Sequence, residues 1–294
     1  MALRIGVIGG SGLYTMEGLA NLREERVSTP FGDPSDAYFI GTFEGVTSAD
    51  GEPVELVFLP RHGRGHRYTP SEVPYRANIY GMKALGVSWI ISVSAVGSLR
   101  EDIAPGHVVV IDQFIDKTHR PQTFFGGGIV AHVAFGDPVC LTLRSYLLNA
   151  ARSAGAVVHD GGTYVCMEGP AFSSRAESNL HRSWGASVIG MTNMPEAKLA
   201  REAEISYATL AMSTDYDCWH ADHDAVTVDQ VIAVLSANVE LSKRIIRAAV
   251  PHIAAHAGPA PMSNALATAI ITSRDAISAE AKQRLGLLVG KYLK

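Results

Sequence analysis

Three cysteines are all that the 294 residues contain, and Cys140, Cys166 and Cys218 form no Cys-x-x-Cys pair. An odd number of scattered thiols supports neither a disulfide framework nor a thiolate metal site, so all three read as reduced and mostly buried. Long apolar runs are missing as well. No segment approaches the roughly 18 residues of a membrane span, and Met1-Ala-Leu-Arg-Ile-Gly opens no secretory signal, so a soluble, cytoplasmic protein is expected. Charge is sparse: 18% of residues are charged, the net charge is −4, and no block of like sign occurs. These features argue against nucleic acid or a membrane as partner and favour a small molecule. No repeat, low-complexity segment or linker divides the chain. With 47% hydrophobic residues it has enough apolar material for a single domain over 1–294, read as a core of about 4–250 and a C-terminal extension over 251–294.

What is present is a series of apolar strands that end in small or polar residues. Buried-strand patterns occur at Arg4 to Ile8, Val54 to Leu59, Trp89 to Ser94, His107 to Ile111, Thr163 to Met167, Ser187 to Met191 and Tyr207 to Met212. Helical spacing covers Tyr75 to Leu85, Pro138 to Ala154, Arg175 to Trp184, a segment opening at Pro195, Val228 to about His252, Asn264 to Thr272 and Ser278 to Tyr292. Strands alternating with helices predict an α/β fold, in which ligands sit at the carboxyl ends of strands.

Those ends carry the candidate chemistry. Gly9-Gly10-Ser11-Gly12 follows the first strand, and its backbone N–H groups and the Ser11 hydroxyl suit an anion. A dinucleotide fingerprint, and with it a nicotinamide-dependent oxidoreductase, is the rival reading of this turn, but no clear amphipathic helix follows it. Pro60-Arg-His-Gly-Arg-Gly-His-Arg67 places Arg61, a natural bidentate phosphate ligand, and His62 at another strand end, with a solvated basic loop as the alternative. The glycines between His62 and His66 argue against a metal there. Ser94-Ala95-Val96-Gly97-Ser98 reads as small residues beyond a strand, and Thr192 follows a further one. The long loop from Arg120 to Asp137 reads as a lid or an inter-subunit contact. Ser174 and Glu177 fit a capping box, which leaves Phe172 in a strand-to-helix corner, either stacked on a flat ring or in the core.

Met212-Ser-Thr-Asp-Tyr-Asp-Cys-Trp-His220 places Asp215 and Asp217 just after a buried strand, where each carboxylate is expected to raise the pKa of the other. A protonated donor beside an acceptor matches the edge of an aminopurine. The neighbouring His220, His223 and Asp224 are read as a solvated loop, and no metal is expected. Hydroxyls and cations recurring at several strand ends, together with a carboxylate pair, suggest a pocket for an oxyanion beside a polar heterocycle. No cysteine, lysine or serine–histidine nucleophile stands out, so phosphate itself is the expected nucleophile.

Over roughly residues 4 to 250 the chain resembles the methylthioadenosine phosphorylase branch of the purine nucleoside phosphorylase superfamily, in its trimeric class. The resemblance rests on Ile8-Gly-Gly-Ser-Gly-Leu13, Pro30-Phe-Gly-Asp-Pro-Ser35, Arg61-His-Gly-Arg64, Ser98-Leu-Arg-Glu101, Asp112-Gln-Phe-Ile-Asp116, Glu168 to Glu177 and Thr214-Asp-Tyr-Asp-Cys-Trp219. It implies a three-layer αβα fold with a mixed, partly barrel-like sheet, and phosphorolysis of 5′-methylthioadenosine without any cofactor beyond phosphate as co-substrate. It assigns Ser11, Arg61, His62, Ser94, Ala95 and Thr192 to phosphate, and Ala95, Phe172, Ser173 and Met191 to the nucleoside. Asp215 would meet N7 of the purine and Asp217 the adjacent edge. Branches selecting 6-oxopurines carry Asn and Glu where this chain has Asp215 and Ser173, so a 6-aminopurine is implied. Val228 and Val231 would form an apolar wall for a methylthio group. His132 would reach the pocket of a neighbouring subunit in a homotrimer. Adenosine or methylthioinosine as preferred nucleoside, and a non-catalytic nucleoside-binding module, are the remaining alternatives.

Overall fold

The computed structural model describes residues 2–10, 12–220 and 228–293, with side chains given for all of these except 228–233. In chain order the elements are β1 (Leu3–Gly9), β2 (Leu19–Glu25), β3 (Tyr38–Thr47), β4 (Pro53–Pro60), α1 (Tyr75–Ala84), β5 (Val87–Ser98), β6 (Val108–Val110), β7 (Gln113–Asp116), α2 (Leu141–Ser153), β8 (Val158–Asp160), β9 (Thr163–Cys166), α3 (Arg175–Ser183), β10 (Val188–Gly190), α4 (Asn193–Glu202), β11 (Ser206–Asp215), α5 (Val228–Ala254) and α6 (Ala279–Val289). The strands form one mixed sheet in the order β2-β3-β4-β1-β5-β10-β9-β7. It forks at β5, where β11 also pairs and carries β6 and β8 with it. Strands β1, β4, β5 and β11 run parallel, whereas β3 on β4 and β10 on β5 are antiparallel.

Parallel strands covered on both faces need apolar residues at successive positions, and the two faces are sorted by parity. Ile5, Val7, Leu56, Phe58, Trp89 and Ile91 join one core with Leu143 and Leu147 of α2 and Ile245 and Ile246 of α5. Ile8, Val57, Leu59 and Ile90 turn the other way, onto Ile79 of α1, Leu199 of α4 and Leu285 of α6. Helices therefore cover both faces of the sheet. Burying each such Leu or Ile contributes about 1.5–3 kcal/mol, which makes these rows the main support of the fold. Gly6 leaves room between them, since a Cβ there would lie a tight 3.0 Å from both Ile90 and Val87 side chains.

Several expected boundaries move. Strand β5 runs on through Ser94–Ser98 instead of finishing at Ser94, because β11 pairs with it as far as Gly97 and β10 pairs with Gly97 and Ser98. The sequence 264–272 forms turns and not a helix. There the Ile271 N–H donates to the Val130 carbonyl and the His132 N–H to the Ala269 carbonyl, so the tail is tied to the long loop and tertiary pairing overrides an Ala-rich preference for helix. Strands β2 and β3 escaped the sequence reading. The former is an edge strand with exposed residues throughout its second half, Leu22 among them, and shows no core-facing periodicity. The capping box at α3 is present as expected, with Ser174 and Glu177 each satisfying the other's backbone N–H.

Candidate active site

Parallel register brings the predicted residues to one edge of the sheet. Ile8 lies opposite Ser92 and Leu59, Gly9 lies opposite Pro60, and the Arg61 N–H donates to the Gly9 carbonyl at 3.0 Å. Thus the glycine turn, the Arg61–His62 corner and the Ser92–Ser94 stretch of β5 are neighbours. Ser11 itself lies outside the described residues. The turn leads through Leu13 and Tyr14 to edge strand β2 and not to a helix, so the dinucleotide-fold reading loses its structural context.

Arg61 is buried, and most of its donors are engaged within the protein. Nε donates to Glu196 Oε2 at 2.7 Å and Nη2 to Glu196 Oε1 at 2.9 Å, a side-on bidentate pair in which Nη2 also reaches Ser92 Oγ at 2.7 Å. Nη1 donates to the Val93 carbonyl at 3.2 Å and carries one further N–H. The bidentate grip of Arg61 in this structure is on Glu196. Burial opposes the Arg61 charge and the Glu196 carboxylate more than offsets it, raising the Arg61 pKa. His62 donates from Nδ1 to the Tyr68 carbonyl at 2.8 Å, which fixes the neutral tautomer and leaves Nε2 as an acceptor. Burial pushes its pKa down to about 4, and Arg61 and His66 add to the shift. His62 and His66 stack with ring centroids 4.2 Å apart. The basic loop is not a free cationic patch: Arg64 pairs with Asp36 and Glu24, and Arg67 donates to the Ser35 carbonyl.

Ser94 and Thr192 meet at Tyr164, whose hydroxyl lies 3.1 Å from Ser94 Oγ and near the Thr192 backbone. Gly190 makes that approach possible, because a Cβ there would overlap the Tyr164 hydroxyl at 2.0 Å. Ala95 is exposed on the open side of β5.

The acidic half is built on the pairing of Asp215 with Gly97. A Cβ on Gly97 would sit 2.9 Å from Asp215 Oδ1 and 3.3 Å from Asp217 Cβ, so only glycine lets both aspartates lie against β5. Asp215 Oδ1 accepts from the Asp217 N–H at 2.7 Å, and Oδ2 accepts from the Thr214 hydroxyl at 2.6 Å. Burial nevertheless raises the Asp215 pKa against both bonds. Asp217, held at φ 53°, is raised by burial and then by Asp215, although the nearby Ser173 and Ser178 hydroxyls favour its charged form. The expected mutual effect thus holds for Asp217, whereas Asp215 owes its shift to burial. Asp217 Oδ2 is buried without a hydrogen bond.

The surrounding wall is also assembled. Cys218 Sγ donates to the Ser173 carbonyl at 3.2 Å, tying the acidic loop to the corner before α3, and a Cβ on Gly169 would touch Met191 Sδ at 2.5 Å. Arg120, buried in the long loop, donates to the carbonyls of Met191 and Met194 and pairs with Glu168. Phe172 is 63% exposed, so it belongs to the open mouth and not to the core. His132 is exposed on the long loop. Helix α5 crosses the turn after β1, since a Cβ on Gly12 would meet Val239, and Asn238 Nδ2 donates to the Ser213 carbonyl. The side chains of Val228 and Val231, and all of His223 and Asp224, lie outside the described residues. All three cysteines are free, and no group of three metal-ligating side chains occurs among the described residues.

Sequence reasoning missed Glu196, Ser92, Tyr207, Tyr164 and Arg120. Glu196 left one local signal, an acid in the first turn of a helix directly after Met191-Thr192; its partner Arg61 stands 135 positions away.

Against known families, residues 4–251 match the phosphorylase superfamily. The chain belongs to that superfamily. Within it, the chain is 61% identical over 291 residues to the S-methyl-5′-thioadenosine phosphorylase of Geobacter sulfurreducens, covering 98% of this chain and 99% of the relative. Among solved structures, a methylthioadenosine phosphorylase from an antarctic soil metagenomic library matches with a TM-score of 0.91 and 49% identity, over 98% of this chain and 99% of that one. A variant adenosine/methylthioadenosine phosphorylase of Schistosoma mansoni, in complex with methylthioadenosine, matches with a TM-score of 0.77 and 38% identity over 86% and 93% of the two chains.

Proposed function

We propose that the chain catalyses reversible phosphorolysis of 5′-methylthioadenosine to adenine and 5-methylthioribose 1-phosphate. The observation that carries this reading is Asp215, a buried carboxyl with a raised pKa set against Gly97, on the sheet edge that also presents the anion-binding hydroxyls.

Phosphate, held by Ser94, Thr192 and the glycine turn, with the Nε2 of a neutral His62 accepting from its protonated oxygen, presents another oxygen to C1′ of the ribose. As the C1′–N9 bond lengthens, its electron pair moves into the purine while positive charge grows on the sugar. Phosphate stabilises the sugar cation. A protonated Asp215 passes its proton to N7, so the base leaves as neutral adenine and the aspartate regains its proton from solvent. Both Asp215 oxygens already accept one hydrogen bond, and a carboxyl oxygen has a second lone-pair direction from which the proton can be presented. Asp217, with one unpaired oxygen, accepts from the adjacent amino edge and favours a 6-aminopurine. The apolar pair Val228 and Val231 favours a methylthio group over a 5′-hydroxyl, which would lose roughly 1–3 kcal/mol if left unpaired. Phosphate is the co-substrate, and no step calls for a metal or organic cofactor.

The same reading makes the active form a cytoplasmic homotrimer in which His132 of the long loop reaches a neighbouring pocket. In support, Phe172 and Ala95 leave the mouth open on one side, and no described helix is long and apolar enough to cross a membrane. The test is adenine release from 5′-methylthioadenosine, with adenosine and methylthioinosine alongside. Release that needs phosphate and is fastest with methylthioadenosine is expected; release independent of phosphate would overturn the reaction.

A further inference from the structure

We infer that Glu196 is a positioning residue for the phosphate pocket, an inference that rests on the phosphorolysis reading. Its carboxylate, 1% exposed, is where the anion-binding strand ends are joined. Besides both arms of the Arg61 fork, Glu196 Oε1 accepts from Ser92 Oγ at 2.7 Å and from the Tyr207 hydroxyl at 2.9 Å. Asn193 Nδ2 closes the ring, donating to Ser92 Oγ at 2.9 Å and to the Tyr207 hydroxyl at 2.7 Å.

Three members of this set lie close in sequence to a proposed phosphate ligand. Arg61 precedes His62, Ser92 stands two residues before Ser94 on the same face of β5, and Glu196 follows Thr192 by four positions, across a kink at Met194. One carboxylate thereby fixes β4, β5, β11 and the start of α4 relative to one another. It also offsets the buried Arg61 charge. A buried bidentate pair holds this geometry because breaking it would leave an uncompensated charge.

The test compares Glu196→Gln with the wild-type chain in steady-state assays that vary each substrate separately. The KM for phosphate is expected to rise about tenfold or more, and the KM for methylthioadenosine to stay within about twofold. A purely structural role would lower the melting temperature and the active fraction, and so kcat, with both KM values unchanged; that result overturns the inference. A fall in the phosphate KM would also overturn it, since the released Arg61 charge would then matter more than its placement. Should Glu196→Gln fail to fold, Tyr207→Phe and Ser92→Ala each remove one donor to the same carboxylate. Each is expected to raise the phosphate KM about two- to fivefold, and unchanged values in both overturn the inference. Thermal stabilisation by inorganic phosphate reads the pocket without turnover. If the wild-type chain is stabilised by phosphate yet does not cleave methylthioadenosine, the reaction is wrong; loss of that stabilisation in Glu196→Gln still supports the positioning role, and its retention contradicts it.

Discussion

Around Arg61, the groups that build the anion side bond mostly to one another: Glu196, Ser92, Tyr207 and the Asn193 Nδ2 form a connected set of hydrogen bonds, in which Asn193 Oδ1 is left buried without a partner. Around Asp217 the arrangement differs, with Oδ2 buried and unbonded, Phe172 exposed at the mouth and Asp217 itself in a left-handed conformation. The oxyanion is small and of fixed shape, so its ligands can be set in advance by internal bonds. On the base side, an unspent acceptor and a raised-pKa acid are kept for groups the substrate brings. Stability is concentrated in the first region and chemical discrimination in the second.

Breaking the base side should cost most. Asp215→Asn keeps the shape but carries no acidic proton, and kcat/KM for methylthioadenosine is expected to fall about 10²–10⁴-fold, measured by adenine release at saturating phosphate. A loss within threefold would remove Asp215 from the proton path. The anion side should show itself in stability. His62 is neutral in the folded protein with its pKa lowered to about 4, whereas the ordinary value is 6.5. Its contribution is fully present above about pH 6.5 and is lost as pH falls towards 4, because the unfolded chain binds the proton more readily. That loss is on the order of 2–3 kcal/mol. Denaturant titrations at pH 7 and pH 4.5 should therefore differ less in His62→Gln than in the wild-type chain.

Gly97→Ala sharpens the comparison, because the added methyl would press on both aspartates and on nothing of the Arg61 set. A drop of about 10–100-fold in kcat/KM is expected with the phosphate KM little changed; a selective change in the phosphate KM would show that the two halves are not separable. The smallest effect is assigned to Tyr164→Phe, which removes the hydroxyl beside Ser94 and Thr192. One neutral hydrogen bond is worth about 1 kcal/mol, so the phosphate KM should rise by roughly three- to tenfold.

Both halves were unequally legible in the sequence. The acid pair, the glycine turn, Arg61–His62 and Thr192 announce themselves because chemistry-bearing residues interrupt apolar runs, and the parallel strands are visible as such runs. The Arg61–Glu196 pair was hidden because its members are remote in sequence and an isolated Glu in a helix reads as solvent-facing. The strand was expected to finish at Ser94 because the small residues of Ser94–Ser98 carry no strand signal of their own; neighbouring strands on both sides extend it to Ser98. Gly97 shows its importance only when Asp215 and Asp217 are seen packed on it. The tail failed for a similar reason: 264–272 has helix-forming composition, and its pairing with the long loop depends on residues 130–132.

The most direct test of the account is the pH dependence of kcat/KM for methylthioadenosine at saturating phosphate, in wild type and in Asp215→Asn. With its pKa raised by burial, Asp215 holds its proton further up the pH scale than an ordinary aspartate and loses it as pH rises. The account predicts a wild-type rate that falls on the alkaline side and a slower Asn variant without that limb. The same alkaline limb in both proteins would contradict Asp215 as the proton donor.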